Sequence, residues 1–521
     1  MQKLPIGVQT FEKLRRGNYL YVDKTEQIYN LITLGGIYFL SRPRRFGKSL
    51  LISTMDALFT GKKELFDGLW IYDKWDWTQQ YPVIHIDWTN IEHLSKEEIE
   101  ISTLGLLQDI ATMHSVVLTK KYASDAFSEL IKSVSEKTGQ KVVVLIDEYD
   151  APILDTIGKS PENIAQIKEW LHNFYKRLKA TDQYLKFLFL TGVSRFSGLS
   201  IFSGLNNPDD ITIKEKYAAI CGYTQAELER YFDEYIDDTA KHFDVSKSEI
   251  LEDIRYWYNG YTWDGKTSIY NPFSTLLFFD RKEFAPYWFR TGTPTFLIDA
   301  LKQKEYIDDI LEPTMVGTDA FESYEPENTP LRSLLFQTGY LNIKQKEIVD
   351  KRPFYTLDVP NIEVRDALMK NILNILTKFS TLDMDPLRND MLQHIRSGNA
   401  DAFANDLRRL LANIPYELHT KNERFYNAIF VSNLQLLGFN IQSQISTNFG
   451  KIDAVLQYKD VAVVAELKFS AEKSAEAMLS AAMKQIKDRR YYEKYLNRKV
   501  LLLSLAFTGK DVACRIEELK V

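Results

Sequence analysis

The sequence predicts an α/β protein of several domains, and three observations carry that expectation. An apolar strand at residues 35–41 runs into a basic, glycine-containing loop and then a helix at 47–59. Two further apolar strands, "KVVVLID" and "KFLFLTG", end in acidic and hydroxyl residues, the form of buried parallel strands whose C-terminal ends reach a site. Residues 422–507 then read as helix, three strands, helix and strand.

Composition bounds what such a chain does. Its 521 residues exceed one ordinary core and suggest two to four domains. With 45% hydrophobic and 26% charged residues it reads as folded and soluble, and no apolar run reaches membrane-spanning length. The start, "MQKLPIGVQTFEKL", lacks the apolar core of a secretory signal. Cys221 and Cys514 stand far apart with no metal-ligand spacing, which favours the cytoplasm. A net charge of −6 argues against a generally basic nucleic-acid binder but leaves room for a local basic groove.

The first element, "GGIYFLS", is rich in β-branched and aromatic residues; in the helix that follows, Leu50, Leu51, Met55, Leu58 and Phe59 form an apolar stripe. Between them lies "RPRRFGKS". A phosphate-binding loop has Gly, four residues, then Gly-Lys-Ser/Thr; Gly47, Lys48 and Ser49 supply the end, while Arg42 occupies the first glycine's place. Lys48 would contact the β and γ phosphates of ATP and Ser49 would help hold Mg2+, with Arg42, Arg44 and Arg45 adding cationic contacts. On this motif alone, a basic loop on an ordinary α/β turn is the competing reading.

The second and third strands extend the set. Asp147 would hold Mg2+ through water and Glu148 would orient or deprotonate the attacking water. Thr191 would sense the γ-phosphate, with Ser194 beside it, and Arg195 would neutralise transition-state charge. Core strands with polar ends are the bland alternative. Beyond them, Thr224 and Glu227 form a capping box that opens an amphipathic helix. Residues 281–400 read as a mixed connector, with "LLFQTGYLNIKQ" and "PFYTLDVPN" as hairpin-like strands after a helix; a winged helix and a plain spacer both fit.

The C-terminal segment carries separate chemistry. Helix 422–439 would bury Phe425, Ile429, Leu436 and Leu437, and strands follow at "NIQSQIS", "KIDAVLQY" and "VAVVAELKF". Asp453 and Glu466 lie on adjacent strands, where two carboxylates can share Mg2+, or Mn2+ in its place. Lys468, two residues after Glu466, points to the same face and would position a metal-bound water or stabilise developing charge. A solvated salt bridge on a sheet edge is the alternative. The tripeptide Glu-Leu-Lys recurs at 518–520 without an upstream Asp strand, so context, not the tripeptide, discriminates.

"LPIGVQTFEKLRRGNYLYVDKTEQIY", "SRPRRFGKSLL", "LIDEYDAP", "SIFSGLNNPDDIT", "WYNGYTW", "YNPFSTL" and "YWFRTGTPTFL" together resemble the AAA-ATPase-like family that carries a C-terminal nuclease domain in bacteria and archaea. That family uses Arg-Pro-Arg-Arg-Phe-Gly-Lys-Ser as its phosphate loop, so Arg42 belongs to the type. The C-terminal order is similar to the PD-(D/E)XK nuclease core, whose motif also matches Glu423 and Gln485. The resemblance singles out Tyr21, Asp23, Lys24 and Thr25 without giving them a role, and places Asn259 where an Asp is common and Lys451 where an Arg is common. It implies an AAA-like P-loop NTPase core on a parallel sheet over 1–215, a helical lid over 216–280, the connector over 281–400 and a restriction-endonuclease-like α/β domain over 401–521. The implied catalytic set is Glu148, Arg195, Asp453, Glu466, Lys468, Glu423 and Gln485. Nucleotide contacts fall to Arg44, Arg45, Gly47, Lys48, Ser49, Asp147 and Thr191, and metal contacts to Ser49, Asp147, Asp453 and Glu466. Two functions remain: an ATP-regulated nuclease of cytoplasmic location acting on nucleic acid, DNA before RNA, with self-association open; or a nucleotide-switched binding module whose nuclease fold holds nucleic acid uncut.

Overall fold

A computed structural model describes residues 1–92, 95–154, 161–194, 208–288, 314–321, 331–365, 367–368, 384–412, 423, 426–427, 430–431, 434, 440–447, 450–458, 461–470, 472–508 and 511–519. The chain divides into two compact units, Met1–Phe296 with Pro313–Arg365, and Leu297–Glu312 with Asp366–Val521.

In the first unit, helices α1 (Phe11–Arg16) and α2 (Thr25–Ile32) precede a five-stranded, all-parallel sheet. Its strands are β1 (Gly36–Ser41), β2 (Val83–Asp87), β3 (Val142–Asp147), β4 (Leu185–Gly192) and β5 (Asp209–Asp210), in the order β2-β3-β4-β1-β5. Every residue of β3 is buried, and six of the eight in β4. That is why both read as unbroken apolar runs: helices cover a parallel sheet on both faces. Helix α3 (Lys48–Phe59) leaves β1 through the basic loop and buries Leu51, Met55, Leu58 and Phe59, while Leu50 is half-buried. Helices α4 (Lys96–Met113), α5 (Ala123–Thr138), α6 (Ala151–Leu154) and α7 (Pro161–Ala180) pack with Ile84, Ile86, Val144 and Ile146 in one core, where the Phe127 and Phe174 rings stack at 4.6 Å.

Four helices follow, α8 (Gln225–Tyr231), α9 (Asp233–Phe243), α10 (Lys247–Tyr258) and α11 (Pro272–Arg281), together with the short antiparallel pair β6 (Tyr223–Thr224) and β7 (Ile269–Tyr270). Leu228, Phe232, Ile236, Ile254, Tyr258 and Phe278 form their common core. The expected capping box at Thr224 and Glu227 is present, and Ser246 with Glu249 makes a second. Helix α12 (Leu331–Gln337) takes up the first four residues of the strand expected over 334–345; beyond it β9 (Asn342–Val349) and β10 (Arg352–Asp358) form the antiparallel hairpin, and β8 (Thr314–Val316) adds a third strand.

The second unit contains α13 (Met384–Arg396), α14 (Ala400–Ala412) and a sheet ordered β11 (Asn440–Thr447), β12 (Gly450–Tyr458), β13 (Val461–Phe469), β14 (Lys499–Thr508), β15 (Asp511–Glu518). Helix α15 (Ala475–Asp488) connects β13 to β14 and packs on both. The β13–β14 pair is parallel and the other three pairs are antiparallel. Ile452, Val455, Val464, Met483, Ile486 and Leu502 fill the core between α15 and the sheet. Strand β15 was not anticipated: the second Glu-Leu-Lys begins at its last residue, Glu518. Glu423, Tyr426, Asn427, Phe430, Val431 and Leu434 are helical, and all but Glu423 are buried; Phe425, Ile429, Leu436 and Leu437 lie outside the described residues. No described helix is long and apolar enough to cross a membrane.

Candidate active sites

Parallel pairing brings the C-terminal ends of β1 to β4 to one edge, where an open α/β sheet binds its ligand. Gly47, at φ 94°, caps the N-terminus of α3, a conformation that glycine adopts without strain. Arg42 is absent from the positive-φ residues; its N–H donates to Gly192 O at 3.1 Å and so prolongs the β1–β4 ladder. No glycine is needed there. The left-handed turn falls instead on Arg45, at φ 68°.

The Arg42 side chain departs from the expected phosphate contact. It is fully buried, donates through Nη1 to Ser41 O and Thr212 O at 2.8 Å, and lies 4.1 Å from the centre of the Trp263 ring. Burial lowers its pKa to about 10, which leaves it a cation at neutral pH. Arg42 therefore fastens the loop from behind. Phe46 packs on Tyr261 and Trp263, Trp288 Nε1 donates to Arg44 O at 3.0 Å, and the exposed Arg45 guanidinium sits over Phe273.

Lys48 is buried, with Nζ 3.1 Å from Glu148 Oε1 and donating to Arg42 O at 3.0 Å. The Asp147 carboxylate accepts from Glu148 N at 3.0 Å, and the nearby Ser49 hydroxyl favours its charged form. Burial first, and then the Glu148 charge, push Asp147 up to about 6. Thr191 is fully buried, and its hydroxyl has no hydrogen-bond partner among the described residues. The structure thus gathers Lys48, Ser49, Asp147 and Glu148 at the strand ends; Arg195 lies outside the described residues.

The motif at 21–25 is a fastening turn. Asp23 accepts from Thr25 N and Oγ1 and, through its other oxygen, from Trp70 N. Lys24 donates to both oxygens of Glu227 at 2.6 and 2.7 Å, tying this turn to the start of α8. Asn259 is a turn residue as well, accepting from Gly260 N and Ser268 Oγ.

The second unit holds the other site. The β12–β13 ladder runs from Tyr458↔Val461 to Ala454↔Ala465; one step beyond it, the Asp453 carboxylate accepts Leu467 N–H at 2.9 Å. A side chain has replaced a backbone acceptor, so the carboxylate is held between the two strands. Glu466 is buried, with Oε1 2.9 Å from Lys468 Nζ and Oε2 unpartnered among the described residues. Burial raises both carboxyl pKa values, and the Asp453 charge raises Glu466 further. Glu423 Oε1 lies 3.6 Å from Lys468 Nζ, and its Oε2 accepts from Phe469 N. Gln485 is half-buried on α15, and among the described residues its side chain makes no hydrogen bond to the other four. Nor do the described residues include a group of three or more His, Cys, Asp or Glu placed as a metal cage.

A family model described as Predicted AAA-ATPase matches residues 5–202, and one for the PD-(D/E)XK nuclease superfamily matches residues 421–517. A protein of Azotobacter chroococcum mcd 1, named Uncharacterized protein in vnfD 5′ region, is 36% identical over 523 residues, covering 97% of this chain and 96% of its own length. The chain belongs to the AAA-ATPase-like family. In this AAA-ATPase-like protein, a nuclease-superfamily domain follows the ATPase-like one.

Sequence reasoning missed three residues of these sites. Asp87 ends β2 in register with Asp147, placing another carboxylate on the same edge. Asp150, fully buried, accepts from Val193 N, Ser194 N and Ser194 Oγ, and so fixes the chain just after Thr191. Ser504 pairs with Glu466 across β13–β14 and, like Glu466 Oε2, has a buried oxygen without a partner among the described residues. The closing Asp of "DEYD" was the one available signal; the other two depend on strand register.

Proposed function

We propose that this AAA-ATPase-like protein binds and hydrolyses ATP, and that nucleotide state regulates a metal-dependent phosphodiesterase acting on nucleic acid, DNA before RNA. The observation that carries the nuclease half is the buried Glu466 Oε2, which has no partner among the described residues, beside Asp453 and with Lys468 on its other oxygen. Leaving a buried carboxylate oxygen unpaired costs free energy unless something else satisfies it.

These oxygen donors fit a hard divalent cation. Asp453 and Glu466 would hold it at the nuclease site, and Ser49 with Asp147 at the ATPase site. Such an ion supplies an acidified water and neutralises phosphoryl charge. Lys468 stands ready to orient a nucleophile or to offset developing charge. At the ATPase site, an arriving triphosphate competes with Glu148 for the Lys48 ammonium. Glu148, once released, accepts a proton from water as the water oxygen bonds to the γ-phosphorus and ADP departs.

Full-length protein incubated with supercoiled, linear and single-stranded DNA and with RNA, in Mg2+ or Mn2+, with and without ATP, tests this directly. The wild type is expected to cut and Asp453→Ala to lose cutting. Undiminished cutting by Asp453→Ala would remove the nuclease assignment. No cutting by the wild type under any nucleotide condition would favour the second reading, a nucleotide-switched module that binds nucleic acid.

A further inference from the structure

Lined by no residue of either site, an open cavity of about 560 Å3 lies among helices α4, α5 and α7. Its charges are lopsided. Lys96, Lys176, Arg177 and Lys179 line it, against two carboxylates, Glu100 and Asp125. Both acids are engaged: Glu100 accepts from Trp170 Nε1 and Ala123 N, and Asp125 pairs with Arg177 at 2.7 Å. The three lysines are exposed and, among the described residues, form no ion pair or hydrogen bond.

Helix stability explains only part of this. Lys176 and Lys179 occupy the last turns of α7, where cations complement the helix dipole. Lys96 is the first residue of α4, where a cation faces the positive end of the dipole and is disfavoured. Tyr122 lines the same cavity with 67% of its surface exposed, an orientation that core packing does not require. Asn173, Lys176 and Arg177 follow at helical spacing on the wall of α7 and add donors along one stripe.

We infer that this groove binds single-stranded nucleic acid, with the lysines on successive phosphates and a base stacked on Tyr122. Cations tracking a backbone beside an exposed ring are the recurrent means of holding a single strand without reading its sequence. The inference rests on the nucleic-acid reading above for the identity of its ligand, and it adds a contact on the ATPase unit to a chain whose cutting residues lie in the other.

The test uses full-length protein and a fluorescein-labelled oligo-dT strand, followed by fluorescence anisotropy in EDTA so that no strand is cut. Lys176→Gln with Lys179→Gln should weaken binding by about tenfold and make the salt dependence shallower by roughly 1.4, at about 0.7 per single-strand phosphate contact. Tyr122→Ala should weaken single-strand binding by about fivefold or more while leaving duplex binding unchanged. Retained ATP hydrolysis shows that the variants are folded, since none of these residues belongs to the ATPase site. Unchanged affinity in the lysine variant, or a wild type that binds no strand, would overturn the groove. Equal losses on single strand and duplex in Tyr122→Ala would overturn the stacking role. Cleavage by wild type and Asp453→Ala is read separately, so the groove and the nuclease reading fail independently.

Discussion

Glu148 adopts φ 49°, in the left-handed region that a side chain other than glycine rarely occupies. Its neighbours over-determine that conformation. Glu148 N donates to Asp147 Oδ1, Tyr149 N to Thr191 O, and Asp150 clasps Val193 and Ser194, so the turn after β3 is bound to the end of β4. Strain held in this way concentrates where geometry matters for chemistry. The Glu148 carboxylate is thereby placed beside Lys48. Glu148→Gln keeps the shape and leaves Asp147 in place but removes the proton acceptor. ATP binding, measured by calorimetry, should persist, while phosphate release falls by about a hundredfold or more. Undiminished release would make Glu148 structural.

Between elements, one buried carboxylate does the joining. Glu363 Oε1 accepts from Ser274 Oγ in α11 and from Trp288 N, both at 2.7 Å, and the same Trp288 donates to the phosphate loop at Arg44 O. Burial pushes Glu363 up to about 7 from its ordinary 4.5, against the hydrogen bonds from Trp288 and Ser274 that favour the anion. A carboxyl whose pKa is raised on folding stabilises the fold fully below its unfolded value and loses that contribution as pH rises through the folded one. The window therefore runs from about 4.5 to about 7. Glu363→Gln keeps an acceptor for both donors and removes the titration. Relative to wild type, the variant should gain on the order of 3 kcal/mol of stability between pH 4.5 and pH 8. Denaturant unfolding of both proteins across that range checks it, and parallel pH profiles would exclude the role. None of this was legible in the sequence, since Ser274, Trp288 and Glu363 are joined only by tertiary packing. The strands β3 and β4 were legible because burial on both faces leaves an unbroken apolar run, and the capping box at Thr224 because its two residues bond locally. Asp453, Glu466 and Lys468 were legible because alternation along two strands fixes their faces. Arg42 was misread for a physical reason: four consecutive loop residues with three arginines show charge, and only the fold shows that one of them faces the carbonyls of Ser41 and Thr212.

For the whole molecule, two units with separate cores hold the two candidate sites, and in the proposed scheme control of one by the other begins where nucleotide is sensed. In that scheme the loop at 42–49 senses nucleotide as well as holding it. Arg42, Arg44, Arg45 and Phe46 each contact residues between 212 and 288, so a change in the loop on binding phosphate would be felt at Trp263, at Trp288 and, through Phe273, in α11. Lys48 is the trigger in this scheme, because it exchanges Glu148 and loop carbonyls for phosphate oxygens. Lys48→Ala should abolish measurable ATP binding and leave the fold intact, since the residue lies at the mouth of α3. Its nuclease site is untouched, so it should cut nucleic acid at the rate the wild type shows without nucleotide, and adding ATP should change nothing. Asp453→Ala is expected to do the reverse, hydrolysing ATP normally and cutting nothing. Measuring phosphate release and cleavage side by side for the three proteins separates regulation from mere coexistence. A Lys48→Ala protein whose cutting responds to ATP as the wild type does would break the link, because the nucleotide would then be acting somewhere other than this loop.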